Sequence, residues 1–312
     1  MGANINGVDR ADLTRMPTKR KIYRRETYFR EGLRDAERVL GDRTAEVLRR
    51  HALLMVKPDG IAAGKVAAVL DHLAGQGFAV QGARLPVFHG QLWREMWRYQ
   101  LTSATIDRLA LNDLIYVGAG LMLLLRDERP GPLPATMRLA SLKGSADLSK
   151  QKRGTLRDLL GQHNRNFSYI HVADEPADLV RELGLLLDPA QRIAALTGLA
   201  ADGPDPADLT RLDHVLTAER AATEHRTFAA DAAADAVLDA LKRSERGDRA
   251  IRLLERMRLG EPVAWIEAAE AVHDSGADVD RWDLATFGAS LIVCDEPGET
   301  KLIGNPEPGS WD

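Results

Sequence analysis

His171 closes a short apolar run, Tyr169-Ile170, that reads as a strand, and it carries the most suggestive chemistry in the sequence. A neutral imidazole is a good nucleophile near neutral pH because its pKa lies near 6.5. It can accept a phosphoryl group and release it again, so that one difficult transfer becomes two easier ones. Such a residue needs cations around the phosphate and an acceptor for its second ring nitrogen. A lone histidine is more often a packing or surface residue, so its weight depends on the segments around it. Gly60, Gly64 and Lys65 raise the separate question of a phosphate-cradling loop. That loop requires four residues between its glycines and Ser or Thr after the lysine. Here three residues intervene and Val66 follows, so the loop is excluded.

The chain as a whole sets loose bounds. Its 312 residues suffice for two modest domains, or for one domain with a large appendage. Apolar residues at 45% and charged residues at 28% are ordinary for a globular protein. A formal net charge of -4 gives no global attraction to nucleic acid or to an acidic membrane. Cys294 is the only cysteine, which excludes an internal disulfide and fits a reducing compartment. No signal peptide is evident, and the most apolar run, Leu121 to Leu125, is too short to span a bilayer. The expectation is a cytoplasmic protein without nucleic-acid or membrane partners.

Three regions differ in texture. Residues 1–50 are polar and basic, with Arg15, Lys19, Arg20, Lys21, Arg24 and Arg25 crowded together as a solvated face or flexible arm, followed by one or two amphipathic helices. Residues 51–187 alternate strand-like and helix-like segments. The strands are Ala52 to Val56, Phe78 to Leu85, Leu121 to Leu125 and Tyr169 to Val172. Helices fall at Lys65 to Leu73, around Leu92 to Tyr99, at Leu133 to Lys143 and at Pro176 to Leu186. This order predicts an α+β fold, a ferredoxin-like four-stranded antiparallel sheet with helices. Residues 188–312 read as a mainly α-helical region, with helices at Ala221 to Leu241 and Ala250 to Met257 and an irregular end from Gly298. No chemistry is legible there.

Leu54-Met55-Val56-Lys57-Pro58-Asp59-Gly60 resembles the opening strand and loop of nucleoside diphosphate kinases, which carry an essential lysine in a Lys-Pro-Asp-Gly motif. Gly154-Thr155-Leu156-Arg157 resembles the family's Gly-Thr-Ile-Arg segment. Ile170-His171 followed by Asp174 resembles its Ile-His-Gly-Ser-Asp strand, and Glu182 falls eleven residues after His171, where the family keeps an orienting glutamate. The likeness covers under half the chain, and four features in order make it specific. It implies a nucleoside diphosphate kinase-like fold and a phosphotransferase working through phosphohistidine, with His171, Lys57 and Glu182 as the catalytic set. Lys57 would contact the terminal phosphate, Arg157 would grip phosphate oxygens with its planar fork, and Glu182 would support the other imidazole nitrogen. The partners implied are ATP or another nucleoside triphosphate and a diphosphate acceptor. Magnesium would arrive with the nucleotide, with no metal site built by the protein. Family members are commonly hexamers or tetramers, which carries over as an expected homo-oligomer.

The sequence departs from that pattern at several places. A phosphate-binding arginine of the family falls on Ala140, which leaves Arg138 as the nearest substitute, and a threonine falls on Ala146. Thr155 stays in place as a nucleotide-binding candidate. The sugar-contacting asparagine falls on Ser168, with Asn166 as a shifted replacement, and the two residues after the nucleophile are Val172 and Ala173. Ala104 to Leu109, where a base-stacking aromatic belongs, has none. The loop before Gly154, Ser149 to Arg153, also differs from the family's. A catalytically weakened nucleotide-binding or regulatory module on the same fold is therefore the alternative reading.

Overall fold

The computed structural model describes residues 10–201 and 203–311. After a short turn come α1 (Pro17–Tyr23), α2 (Thr27–Leu40) and α3 (Thr44–Arg50). The polypeptide then enters β1 (His51–Val56), whose six residues are all buried. A continuous apolar run of this length, covered on both faces, is what a central strand requires. Next are α4 (Pro58–Ala62), α5 (Val66–Gly75) and β2 (Phe78–Arg84). A small hairpin of β3 (Val87–Phe88) with β4 (Gly118–Ala119) brackets α6 (Gly90–Met96) and α7 (Ile106–Ile115). It precedes β5 (Leu121–Asp127), α8 (Ala135–Lys143), α9 (Leu156–Leu159), β6 (Ile170–Val172) and α10 (Pro176–Leu186).

The four longer-range strands form one sheet in the order β2-β5-β1-β6, and every pair is antiparallel. Counting only these strands, the spatial order is second, third, first, fourth, which is the ferredoxin-like arrangement. His171 sits opposite Met55 on β6, the edge strand. That edge position decides the site: one side of β6 is paired to β1, and its other side is free for side chains to cover.

The remaining helices are α11 (Pro189–Leu199), α12 (Pro206–Ala221), α13 (Ala230–Lys242), α14 (Asp248–Arg258), α15 (Trp265–Asp274) and α16 (Arg281–Leu291). Helices α11 and α12 pack on β2, while α15 and α16 reach α7. A single apolar core runs from Leu13 through the sheet to Ile303. No helix among the described residues is long and apolar enough to cross a membrane.

Two expectations need correction. The stretch Ala221 to Leu241 is not one helix, because residues 222–229 break it and Phe228 takes a positive φ of 53°. Phe228 stacks on Phe167 with ring centroids 4.2 Å apart, so tertiary packing overrides the helical pattern there. The basic N-terminal cluster is not uniformly solvated either. It forms α1, and Lys19 is buried against Glu175 and Asp178 at 2.8 and 2.6 Å. The end from Gly298 is irregular as expected, apart from a 3-10 turn at Pro308–Trp311.

Candidate functional site

The Lys-Pro-Asp-Gly segment is a device for holding one strand against another. Lys57 donates its backbone N–H to the Tyr169 carbonyl at 2.8 Å. The Asp59 carboxylate accepts the Tyr169 N–H at 2.9 Å and lies 3.5 Å from the Lys57 ammonium. Pro58 starts α4, where its missing N–H costs nothing. A Cβ at Gly60 would stand 2.7 Å from the Tyr169 oxygen, so only glycine admits this approach. Tyr169 itself is held at φ 58°, a conformation costing about 1–2 kcal/mol for a non-glycine residue. The segment thus clamps a strained residue two positions before His171 and carries Lys57 to the same place.

The Lys57 ammonium is buried and donates to Ser168 Oγ at 2.9 Å and to the Tyr116 hydroxyl at 3.2 Å. It also lies 4.6 Å from the centroid of the Tyr116 ring. His171 Nε2 is 2.7 Å from Glu182 Oε1, across from α10, while Nδ1 is 3.1 Å from Trp97 Nε1. An indole nitrogen can only donate, so Nδ1 must carry a lone pair and the proton sits on Nε2, facing Glu182. The ring nitrogen with the available lone pair is therefore Nδ1. Glu182 is buried, and its Oε2 has no hydrogen-bond partner.

Arg157 covers the free edge of β6. Its guanidinium donates to the carbonyls of Ile170 at 2.9 Å, Gly144 at 3.0 Å and Ser168 at 3.4 Å. Among the described residues it forms no ion pair, and burial lowers its pKa to about 10. Asp174, just past β6, pairs with Lys143 at 2.9 Å. Burial alone would raise its pKa, but the charges of Lys143 and Lys19 prevail and bring it to about 2.

These groups line one cleft of about 690 Å³. Lys57, Arg157, Ser168 and His171 all face it, so four of the expected residues meet there, with Glu182 directly behind His171. The others do not reach it. Arg138 is drawn to the Asp127 carboxylate, at 2.7 and 2.5 Å, and lies over the Phe78 ring. It is no substitute for the arginine missing at Ala140. Thr155 donates to the Lys152 carbonyl and packs on Gly144, where a Cβ would come within 2.3 Å of Thr155 Oγ1. Asn166 is buried, touching Cys294 Sγ at 3.5 Å and offering its carbonyl to the Tyr116 hydroxyl. Ser168 lies in the cleft, but its hydroxyl is occupied by Lys57.

Sequence reasoning missed half of the cleft. Trp97 follows α6 in no recognisable motif, and Tyr116 follows α7. The far wall comes from the region in which no chemistry was legible: Asp295, Glu299 and Lys301 face Arg108 and Arg165. No local pattern signals contacts almost 200 residues apart. Seven cationic side chains and four carboxylates line the cleft, an excess of positive charge in a chain of net charge -4. Among the described residues, no group of three or more His, Cys, Asp or Glu side chains could hold a metal ion. The end of α5 considered as a phosphate loop is already capped, since Glu219 accepts the N–H groups of Val66 and Ala67 at 2.8 and 2.9 Å.

Residues 50–192 match the sequence model of the family described as Nucleoside diphosphate kinase. Nucleoside diphosphate kinase 2, chloroplastic, of Pisum sativum is 28% identical over 136 residues, covering 43% of this chain and 55% of the pea protein. Nucleoside diphosphate kinase of Nocardia farcinica is 25% identical over 139 residues, covering 44% of this chain and 94% of that protein. Among solved structures, nucleoside diphosphate kinase of Aquifex aeolicus aligns at 19% identity with a TM-score of 0.38, covering 46% of this chain and 97% of the other. A halophilic nucleoside diphosphate kinase from Halobacterium salinarum in complex with CDP aligns at 20% identity and a TM-score of 0.37, covering 45% and 89%.

Proposed function

We propose that the domain moves the terminal phosphate of a nucleoside triphosphate to a nucleoside diphosphate through phosphorylated His171. The observation that carries this reading is the imidazole held by Glu182 on Nε2, with Nδ1 turned toward a cation-lined cleft that Lys57 also faces. In the first step the Nδ1 lone pair forms a bond to the terminal phosphorus. The bond from that phosphorus to the bridging oxygen breaks, and the diphosphate leaves with the electron pair. The imidazole gains positive charge, which the buried Glu182 carboxylate stabilises across the Nε2–H bond. Lys57 and the remaining guanidinium donors of Arg157 neutralise charge on the phosphoryl oxygens. In the second step a terminal oxygen of another diphosphate attacks the same phosphorus and Nδ1 leaves. Magnesium enters as part of the substrate, bound to the nucleotide phosphates.

Trp97 has a place in this sequence. Its N–H must leave Nδ1 before attack, and it can then donate to a phosphoryl oxygen. The same contact favours the second reading, a nucleotide-binding or regulatory module with weakened turnover, because it caps the nucleophile at rest. Incubation with ATP labelled on the terminal phosphate separates the two. The transferase reading expects an acid-labile label that ADP discharges to ATP. Nucleotide binding without a dischargeable label supports the module and overturns the transferase.

A further inference from the structure

Where the C-terminal tail lines the cleft, two arginines share one carboxylate. Arg108 Nη1 lies 2.7 Å from Asp295 Oδ1, and Arg165 Nη1 lies 2.5 Å from Asp295 Oδ2. Lys301 lines the same cleft a few residues further along the tail. The arrangement has more donors than the carboxylate can use, and Arg108 Nε is buried without a hydrogen-bond partner. Partial burial and the neighbouring charges of Arg165 and Arg108 lower the pKa of Lys301 below the ordinary lysine value. Three cations thus face the Asp295 carboxylate, with Glu299 as a second carboxylate on the same wall.

The tail that brings Asp295 and Lys301 here is anchored along residues 99–105. Thr105 N–H donates to the Cys294 carbonyl at 3.2 Å, Glu296 N–H to Ser103 O at 2.8 Å, and Ile303 N–H to Tyr99 O at 3.1 Å. The wall is therefore fixed, and Asp295 can be relieved of its partners without the tail leaving. Flat ring surfaces are not on offer beside it. Of the aromatic side chains in the cleft, Tyr116 faces Lys57 and Trp97 at 4.6 and 4.8 Å, and Trp97 is tied to His171. This wall of the cleft recognises charge.

We propose that Arg108, Arg165 and Lys301 form an outer phosphate subsite, occupied at rest by Asp295, that takes the part of a triphosphate or longer phosphate chain furthest from His171. The subsite deepens the phosphotransferase reading, because it selects the donor by the length of its phosphate chain. Its recognition chemistry is charge-assisted hydrogen bonding to phosphate oxygens, in which planar guanidinium forks replace one carboxylate with several anionic oxygens. The phosphate chain can belong to a nucleotide or be inorganic.

Calorimetric titration of the full chain tests this with inorganic tripolyphosphate, pyrophosphate and ATP, each in magnesium buffer. Arg165→Ala and Lys301→Ala are each expected to weaken tripolyphosphate binding about tenfold, and to leave the shorter pyrophosphate within about twofold. Asp295→Asn is expected to strengthen tripolyphosphate binding severalfold, since the competing anion is gone. Equal losses for ATP and tripolyphosphate assign the subsite to the phosphate chain of a nucleotide, and a loss for tripolyphosphate alone assigns it to an inorganic chain. Unchanged tripolyphosphate affinity in both cation variants overturns the proposal, as does weaker binding by a folded Asp295→Asn protein. If Asp295→Asn fails to fold, the two cation variants decide. The transferase reading fails separately: tripolyphosphate binding that responds as expected in a protein that never forms a phosphoenzyme leaves the subsite standing alone.

Discussion

One turn apart on α10, Asp178 and Glu182 enter two buried charge clusters that are finished to different degrees. Asp178 joins Glu175, Lys19 and Tyr23 in a closed knot. Lys19 reaches both carboxylates, Tyr23 donates to Asp178 at 2.7 Å, Thr14 to Glu175 at 2.6 Å, and Trp311 to Glu175 at 3.0 Å. Burial alone would lower the Lys19 pKa, but Asp178 and Glu175 raise it above the ordinary value. Glu182 belongs instead to the cleft, where one of its oxygens is orphaned, Arg157 has only carbonyl partners, and cations outnumber carboxylates. The knot pairs its charges internally, whereas the cleft keeps an excess of positive charge. Buried polar groups left unsatisfied mark where binding energy is held ready.

Substitutions of the two buried lysines sharpen this contrast. Lys19→Met strands two buried carboxylates and is expected to cost about 3–5 kcal/mol in urea unfolding, with unchanged phosphotransfer per folded molecule. Lys57→Met should do the reverse, lowering phosphoenzyme formation about 10²–10³-fold with a smaller loss of stability, as removal of a group stabilising transition-state charge does. If both variants lose stability and activity in the same proportion, the distinction between knot and cleft fails.

The two strand histidines extend the comparison. His51 begins β1, is 3% exposed, and burial lowers its pKa to about 4. The unfolded chain then binds a proton that the folded one refuses, so stability is complete above pH 6.5 and falls as pH drops from 6.5 toward 4. The shift corresponds to a loss of roughly 3 kcal/mol across that window. His51→Leu should flatten this slope in urea titrations at several pH values; an unaltered slope would assign it to other groups. The smallest effect belongs to Trp97→Phe. Deleting one neutral hydrogen bond to Nδ1 should raise the rate of phosphoenzyme formation about two- to tenfold in rapid-quench experiments, and a fall in rate would mean that the indole matters more to the phosphoryl group than to the resting imidazole.

How far the sequence disclosed all this depends on the range of each signal. The strand before Lys57, the glycine turn, the helix from Pro176 and the eleven-residue step from His171 to Glu182 are local patterns, and each lies where the pattern puts it. The strand order follows from the order of β and α elements, which fits the ferredoxin-like arrangement although long, helix-bearing connections join the strands. Lys19 was misread because a basic run looks solvated until its acidic partners, some 155 residues away, are in view. Arg138 was misread because proximity in sequence to Ala140 says nothing about which side of α8 faces Asp127. The break at residues 222–229 was hidden by alanine-rich helical composition, against which the stacking of Phe228 on Phe167 prevails. The outer cleft wall was invisible for the same reason as the Lys19 knot: its contacts are long-range and its residues form no motif.

The most direct test of the central claim is to locate the phosphate. After incubation of the full chain with ATP and magnesium, phosphorus NMR on the denatured protein in alkali should show one histidine-linked signal, characteristic of Nδ1 attachment, absent from His171→Ala. A phosphate on any other residue, or an Nε2-linked signal on His171, would contradict the assignment of Glu182 as the partner of the non-attacking nitrogen.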